Sequence, residues 1–225
     1  MGVRIAMRAL VIGGTSGIGN SIYNHLKPLC NEAISTGRKE IDTTSLESTE
    51  KYLKSLKDKK FDILVLNTGG PQDINFDEIS NNEWIENFNR LFLSFINIIK
   101  KIEMNKNGYI FLVSSYIIKE PSDSLVISSS IRTGFVSLFK SLSKLYEKKK
   151  ISFINLAPGP VRTKRLENLL KAESQNFDDF AKTMPHENVP KPDELGLFVQ
   201  FVVKNKIKSF NGVTIPFDSG LLKSI

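Results

Sequence analysis

The sequence predicts a single α/β domain spanning residues 1–225, with a doubly wound, mainly parallel sheet flanked by helices. Three observations carry that expectation. Short runs rich in β-branched residues alternate with segments of helical period, the pattern of successive βαβ units. A glycine-rich turn joins the first run directly to the first helical segment. The chain has 225 residues, 40% of them hydrophobic, enough for one sizeable core, and no linker, internal repeat or low-complexity tract divides it.

The strand candidates are residues 9–13, 32–36, 63–67, 109–114, 152–157 and 213–217. After the first, Ile18, Ile22, Leu26 and Leu29 recur near helical spacing. After the second, Asp42 and Thr43 arrive so early that too few residues remain for a helical crossover to the third strand, which predicts an abbreviated sheet edge. Trp84, Phe88, Leu91, Phe95 and Ile99 mark a long helix before the fourth strand, and Ile131, Phe135, Leu138, Leu142 and Leu145 mark another before the fifth. Both helices carry apolar residues off their main line, Phe92 and Ile96 on one and Val136 and Phe139 on the other. A helix apolar nearly all round needs cover on two sides. The sheet supplies one, and a second copy of the chain, in a homodimer or homotetramer, is expected to supply the other. Residues 164–191, with weak strand signals, several helical turns, Pro185 and Pro190, read as a mobile substrate lid.

The lone cysteine, Cys30, excludes an intramolecular disulfide and a thiolate metal cluster built from this chain alone, which fits a reducing, cytoplasmic setting with no metal site. The most apolar stretch, residues 91–99, is too short to span a bilayer and is closed by Lys100 and Lys101. The net charge of +7 is scattered over helices and turns without interleaved aromatics. It reads as solvated surface rather than a nucleic-acid interface, while still steering an anionic ligand inward. His25 and His186 lack a triad partner or metal-ligand spacing, so structural roles are expected for both.

The chemistry begins at Gly13-Gly14-Thr15-Ser16-Gly17-Ile18-Gly19, where a strand runs into a helix. Glycine serves where the turn takes positive φ, where the backbone approaches a pyrophosphate, and where helix packs closely on strand. The helix N-terminus offers free N–H groups to phosphate, with the Thr15 and Ser16 hydroxyls beside them. A dinucleotide site follows from this strand-turn-helix context. At the end of the second strand, Arg38 stands where an acidic residue would grip the ribose of NAD. Its guanidinium fork suits a 2′-phosphate, so NADP(H) is favoured over NAD(H).

The spacing of this turn, with three residues between the first glycine and a Gly-x-Gly pair, resembles that of the short-chain dehydrogenase/reductase superfamily, whose fold is of the Rossmann type. Ile12 replaces the usual threonine before the first glycine. Asp42 and Thr43 resemble the family's adenine-contacting segment. Asn67-Thr68-Gly69-Gly70-Pro71 is similar to its Asn-Asn-Ala-Gly signature, which borders the adenosine ribose. The segment around Pro158, Gly159, Val161 and Thr163 looks like the Pro-Gly stretch against the nicotinamide. By that resemblance Val161 offers backbone groups, and Thr163 a hydroxyl, to the carboxamide. Asn211-Gly212-Val213 and Asp218-Ser219-Gly220 match the closing strand. The six residues before Met7 fall outside the pattern, and either Met1 or Met7 can be the native start.

In the family a tyrosine donates the proton, a lysine four residues later lowers the tyrosine pKa and holds the ribose, and a serine thirteen residues before the tyrosine polarises the carbonyl; an arginine in the lysine's place can still hold the ribose or stabilise a developing alkoxide. The resemblance places these roles at Ser128, Arg132 and Ser115, and the family's relay asparagine at Leu91. An aliphatic hydroxyl is a far weaker acid than a phenol of pKa about 10. General acid catalysis typically contributes about 10²–10⁴-fold, so its loss slows hydride transfer without forbidding it. Tyr116 is either a substitute donor or a surface residue. The same pattern resembles a divergent subgroup carrying Asn-Thr-Gly-Gly-Pro with serine and arginine at these positions, described as 3-oxoacyl carrier-protein reductase-like. The implied function is NADP-dependent oxidoreduction of a small carbonyl or hydroxyl compound. The alternative is a silent dinucleotide-binding regulatory or scaffold protein.

Overall fold

The structure, a computed structural model, describes residues 7–224, and the leader before Met7 lies outside them. Six parallel strands form one sheet: β1 Arg8–Ile12, β2 Glu32–Ser35, β3 Lys60–Leu66, β4 Glu103–Val113, β5 Ser152–Pro158 and β6 Val213–Phe217. Their order is β2-β1-β3-β4-β5-β6. The chain moves outward in one direction from β1 to β2 and in the other from β1 to β3. Such a switch leaves a crevice at the carboxyl ends of these strands.

Side chains alternate across the sheet and feed two cores. On one face Leu10, Leu64, Ile110 and Phe153 pack under α2 (Leu46–Lys54), α4 (Ser94–Lys101) and α5 (Val126–Leu145), through Leu53, Phe95 and Phe135. On the other, Val11, Val65, Phe111 and Ile154 meet α1 (Gly17–Leu26) and α8 (Pro192–Lys204), through Ile22 and Val199. His25 of α1 packs against Gly196 of α8, within the helix pair rather than toward a site.

Three elements differ from the sequence-based expectation. The crossover from β2 to β3 does contain a helix, α2, because the chain turns with great economy. Asp42 Oδ1 accepts hydrogen bonds from the Thr44 backbone N–H and hydroxyl, and Ser45 then caps α2 by accepting from Ser48 N at 3.1 Å. The edge is still short, with four residues in β2. Strand β4 begins at Glu103, six residues before the expected start, with its register against β3 shifting between Phe61 and Ile63. Its first half is polar and contains Asn107-Gly108, a turn signal that hides a strand. The long helix before β4 runs from α3 (Asn81–Phe88) through a π-helical turn at Asn89–Leu93 into α4.

The apolar residues off the main lines of the middle helices are partly covered within the chain itself, with Phe92, Ile96 and Val136 packed against the core. Ile85, Phe88 and Leu145 remain exposed on this side, and Leu197, Phe201 and Val213 form a second exposed apolar set on α8 and β6 that helical period alone did not flag. No helix among the described residues is long and apolar enough to cross a membrane. The segment 164–191 folds as α6 (Lys164–Ala172) and α7 (Phe177–Thr183), with Arg162 stacked over Phe177 at 4.4 Å.

Phe153, fully buried at the centre of β5 and edge-on to Phe139 at 5.0 Å, tests the first core. Phe153→Ala is expected to cost about 3–5 kcal/mol in urea unfolding, without changing the cooperativity of the transition.

Candidate active site

A cleft of about 650 Å³ opens at the carboxyl ends of β1, β3, β4 and β5. Its floor is the β1–α1 turn. Gly13 takes φ +65°, and a Cβ there would sit 2.3 Å from the Asn67 carbonyl oxygen. Gly19 lies behind the cleft wall, where a Cβ would fall 2.1 Å from the Gly13 carbonyl oxygen. The Asn67 side chain donates to that same Gly13 oxygen at 2.8 Å, tying the end of β3 to the turn. Ser16 is the N-cap of α1 but makes no side-chain cap bond, so its hydroxyl, like Thr15, Gly17 and Ile18, borders open cleft.

At one end, Arg38, Asp42, Thr43, Thr68 and Gly69 line the wall. Arg38 Nε donates to Asp42 Oδ2 at 3.2 Å, while its side chain stays 78% exposed. Burial raises the Asp42 pKa, but bonds from Thr44 and Arg38 outweigh it and hold the carboxyl below its ordinary value. Thr43 is buried and shares a 3.2 Å hydroxyl contact with Thr68.

At the other end are Ser115, Ser128, Arg132, Pro158, Gly159 and Thr163. Arg132 is buried on α5, its Nε donating to Ser128 Oγ at 3.1 Å and its Nη1 to the Val113 carbonyl at 3.3 Å. Burial, then the facing Arg165 and Arg90 guanidiniums, push its pKa down to about 10, which leaves it a cation at neutral pH. Thr163 caps α6 by accepting from Leu166 N, so its hydroxyl hydrogen can point into the cleft. Val161 is not on the wall; its side chain is buried in the second core. Leu91 packs with Ile127 and Ile131 in a small apolar cluster. Tyr116 follows Ser115 without lining the cleft, and burial, then Glu120, raise its pKa.

Two lining arginines escaped the sequence reading. Arg90 emerges from the π-helical turn, where one extra residue per turn rotates the helix face away from a 3.6-residue count. Arg165 reaches from α6 to the carbonyls of Gly70 at 3.2 Å and Pro71 at 2.9 Å, a contact across more than ninety residues that no local pattern announces.

Residues 30–174 match the family model for short chain dehydrogenases. The chain belongs to that family. It is therefore an oxidoreductase of the short-chain dehydrogenase family, whose members bind NAD or NADP. An uncharacterized oxidoreductase of Bacillus subtilis, YvaG, is 24% identical over 254 residues, covering 96% of this chain and 96% of its own. The 3-oxoacyl-[acyl-carrier-protein] reductase FabG of Rickettsia bellii is 22% identical, covering 95% of this chain and 96% of its own. A short-chain dehydrogenase from Burkholderia cenocepacia, solved in complex with NADP, superposes with a TM-score of 0.81 at 18% identity, covering 96% of this chain and 98% of that one.

Gly19→Ala places a methyl against backbone that cannot yield. It is expected to destabilise this short-chain dehydrogenase by about 1–3 kcal/mol in thermal or urea unfolding, and to weaken NADPH binding as the α1 N-terminus shifts.

Proposed function

We propose that this chain is an NADP-dependent oxidoreductase that interconverts a small carbonyl compound and its alcohol, working with serine and arginine where other family members use tyrosine and lysine. The bond from the buried Arg132 guanidinium to Ser128 Oγ, made on the wall that also holds Ser115, carries this reading. The cleft also fits the dinucleotide. Its floor has a glycine turn and a helix N-terminus for the pyrophosphate, and Arg38 has guanidinium hydrogens beyond the one given to Asp42 for a 2′-phosphate. Asn67, Thr68, Gly69 and Thr163 would border the riboses and carboxamide. NADP, when bound, supplies or accepts the hydride.

The residues themselves divide the remaining work. The Ser115 hydroxyl donates to the substrate oxygen and stabilises charge as it develops there. Ser128 accepts from Arg132, which orients its own O–H hydrogen away from the guanidinium and strengthens it as a donor. Arg132 holds its proton at neutral pH, so it acts as a fixed positive charge beside the developing alkoxide. Water entering the open cleft replaces the proton passed to the alkoxide. Residues 164–191 serve as the substrate lid, and the exposed Ile85, Phe88 and Leu145 support homodimer or homotetramer pairing through the middle helices. Light scattering should give a mass of two or four chains, and a monomer would refute that pairing.

Fluorescence titration should show NADPH binding more tightly than NADH. Arg38→Leu should remove about ten- to a hundredfold of that preference, the worth of a charge-assisted hydrogen bond. With a reducible carbonyl, Ser115→Ala should lower kcat by about 10²–10³. Tight NADPH binding without turnover of any carbonyl by the unmodified protein would leave a silent dinucleotide-binding scaffold.

A further inference from the structure

Arg132 is a cation only 8% exposed, and among the described residues no carboxylate pairs with it. The charges that face it are the guanidiniums of Arg165 and Arg90. Its Nε and one Nη1 hydrogen are taken by Ser128 and Val113, which leaves the second Nη1 hydrogen and the whole of Nη2. Nη2 lies 3.6 Å from the point a Cβ on Gly70 would occupy, and Arg165 Nη2 and Nη1 lie 3.6 and 3.7 Å from the same point. Two guanidiniums therefore border one small volume on the cleft wall, kept open because residue 70 is glycine. Arg165 is itself held by the Gly70 and Pro71 carbonyls, so both forks are pre-positioned rather than loose. Burying one cation beside another without an anion is unfavourable, and the fold bears that cost on the cleft wall beside the Gly69-Gly70 turn, where a Cβ on Gly69 would also lie 3.6 Å from Arg165 Nη1.

We infer that Arg132 and Arg165 receive a carboxylate of the substrate, so that the compound reduced is an oxo acid, and the compound oxidised the matching hydroxy acid. This rests on the oxidoreductase reading above. A planar carboxylate matches the guanidinium fork. Its single charge costs less to desolvate than a phosphate dianion in a cleft that also takes the cofactor's phosphates. Arg165 sits on α6 and already bonds the Gly70 and Pro71 carbonyls, so the acid also braces the 164–191 segment against that edge. The carbonyl is then left toward Ser115.

The test is calorimetric titration of the NADP⁺ complex, which has no hydride to give, with pyruvate, acetoacetate and levulinate, each against its methyl ester. At least one acid should bind tenfold or more tighter than its ester. Arg165→Gln should abolish that discrimination, and Arg165→Lys, which keeps charge but not the fork, should restore only part of it. Equal affinity for every acid and ester in the unmodified protein, with NADP⁺ bound, overturns the inference while leaving the cofactor reading standing. Loss of NADP⁺ affinity in Arg165→Gln with acid discrimination retained also overturns it, because the guanidinium then serves the cofactor. Failure of the unmodified protein to bind NADP⁺ or NADPH removes both readings together.

Discussion

The Gly13 carbonyl oxygen is approached from two sides: the Asn67 amide donates to it at 2.8 Å, and Gly19 packs so close that a methyl could not be inserted. This contact holds the end of β3 against the β1–α1 turn. It aims the α1 N-terminus over the sheet at the point where strand order reverses. The Gly14 N–H donates to Thr36 at 2.8 Å and brings in the end of β2, and with it Arg38. The Arg38 side of the cleft is thus assembled around one peptide group, and the rest of the floor inherits its position.

The opposite end is governed by charge. The Arg165 and Arg90 guanidiniums face Arg132, which among the described residues has no carboxylate paired with it, whereas Arg38 on the same cleft is paired with Asp42. Cations withdrawn from water destabilise the fold unless something compensates them. Here peptide carbonyls and a serine do so in part, through Val113, Gly70, Pro71 and Ser128. The remaining positive potential is what the cleft offers to an anionic ligand. The Arg132–Ser128 bond ties the serine hydroxyl to that charge, and in the proposed reaction the guanidinium sets the direction of a hydroxyl too weakly acidic to act alone.

Much of the architecture was legible because it depends on local physics. Strands such as β5, buried throughout, write themselves as apolar runs, and the glycine turn declares its backbone demands in its residue types. The misreadings came where neighbours overrode local preference. Strand β4 runs through the polar Asn-Gly stretch, with Asn107 at φ +64°, because β3 pairs with Glu103 and Met104 before it and with the run from Tyr109 after it. Helix α2 fits a short crossover because Asp42 and Ser45 turn and cap it with their side chains. The π-helical turn moves Arg90 to a face that a regular helical count assigns elsewhere.

The sequence by itself determined the fold class, the succession of strands with most of the helices between them, and the glycine turn, Asn67 and Arg38 that line the cleft, because period, turn chemistry and residue type act over a few neighbouring positions. Only the tertiary structure decided that the Arg132 guanidinium bonds Ser128, that Leu91 sits in an apolar cluster, and that Arg165 reaches the carbonyls of Gly70 and Pro71. Direction and distance between side chains on separate elements are set by how those elements pack, and no local pattern encodes that.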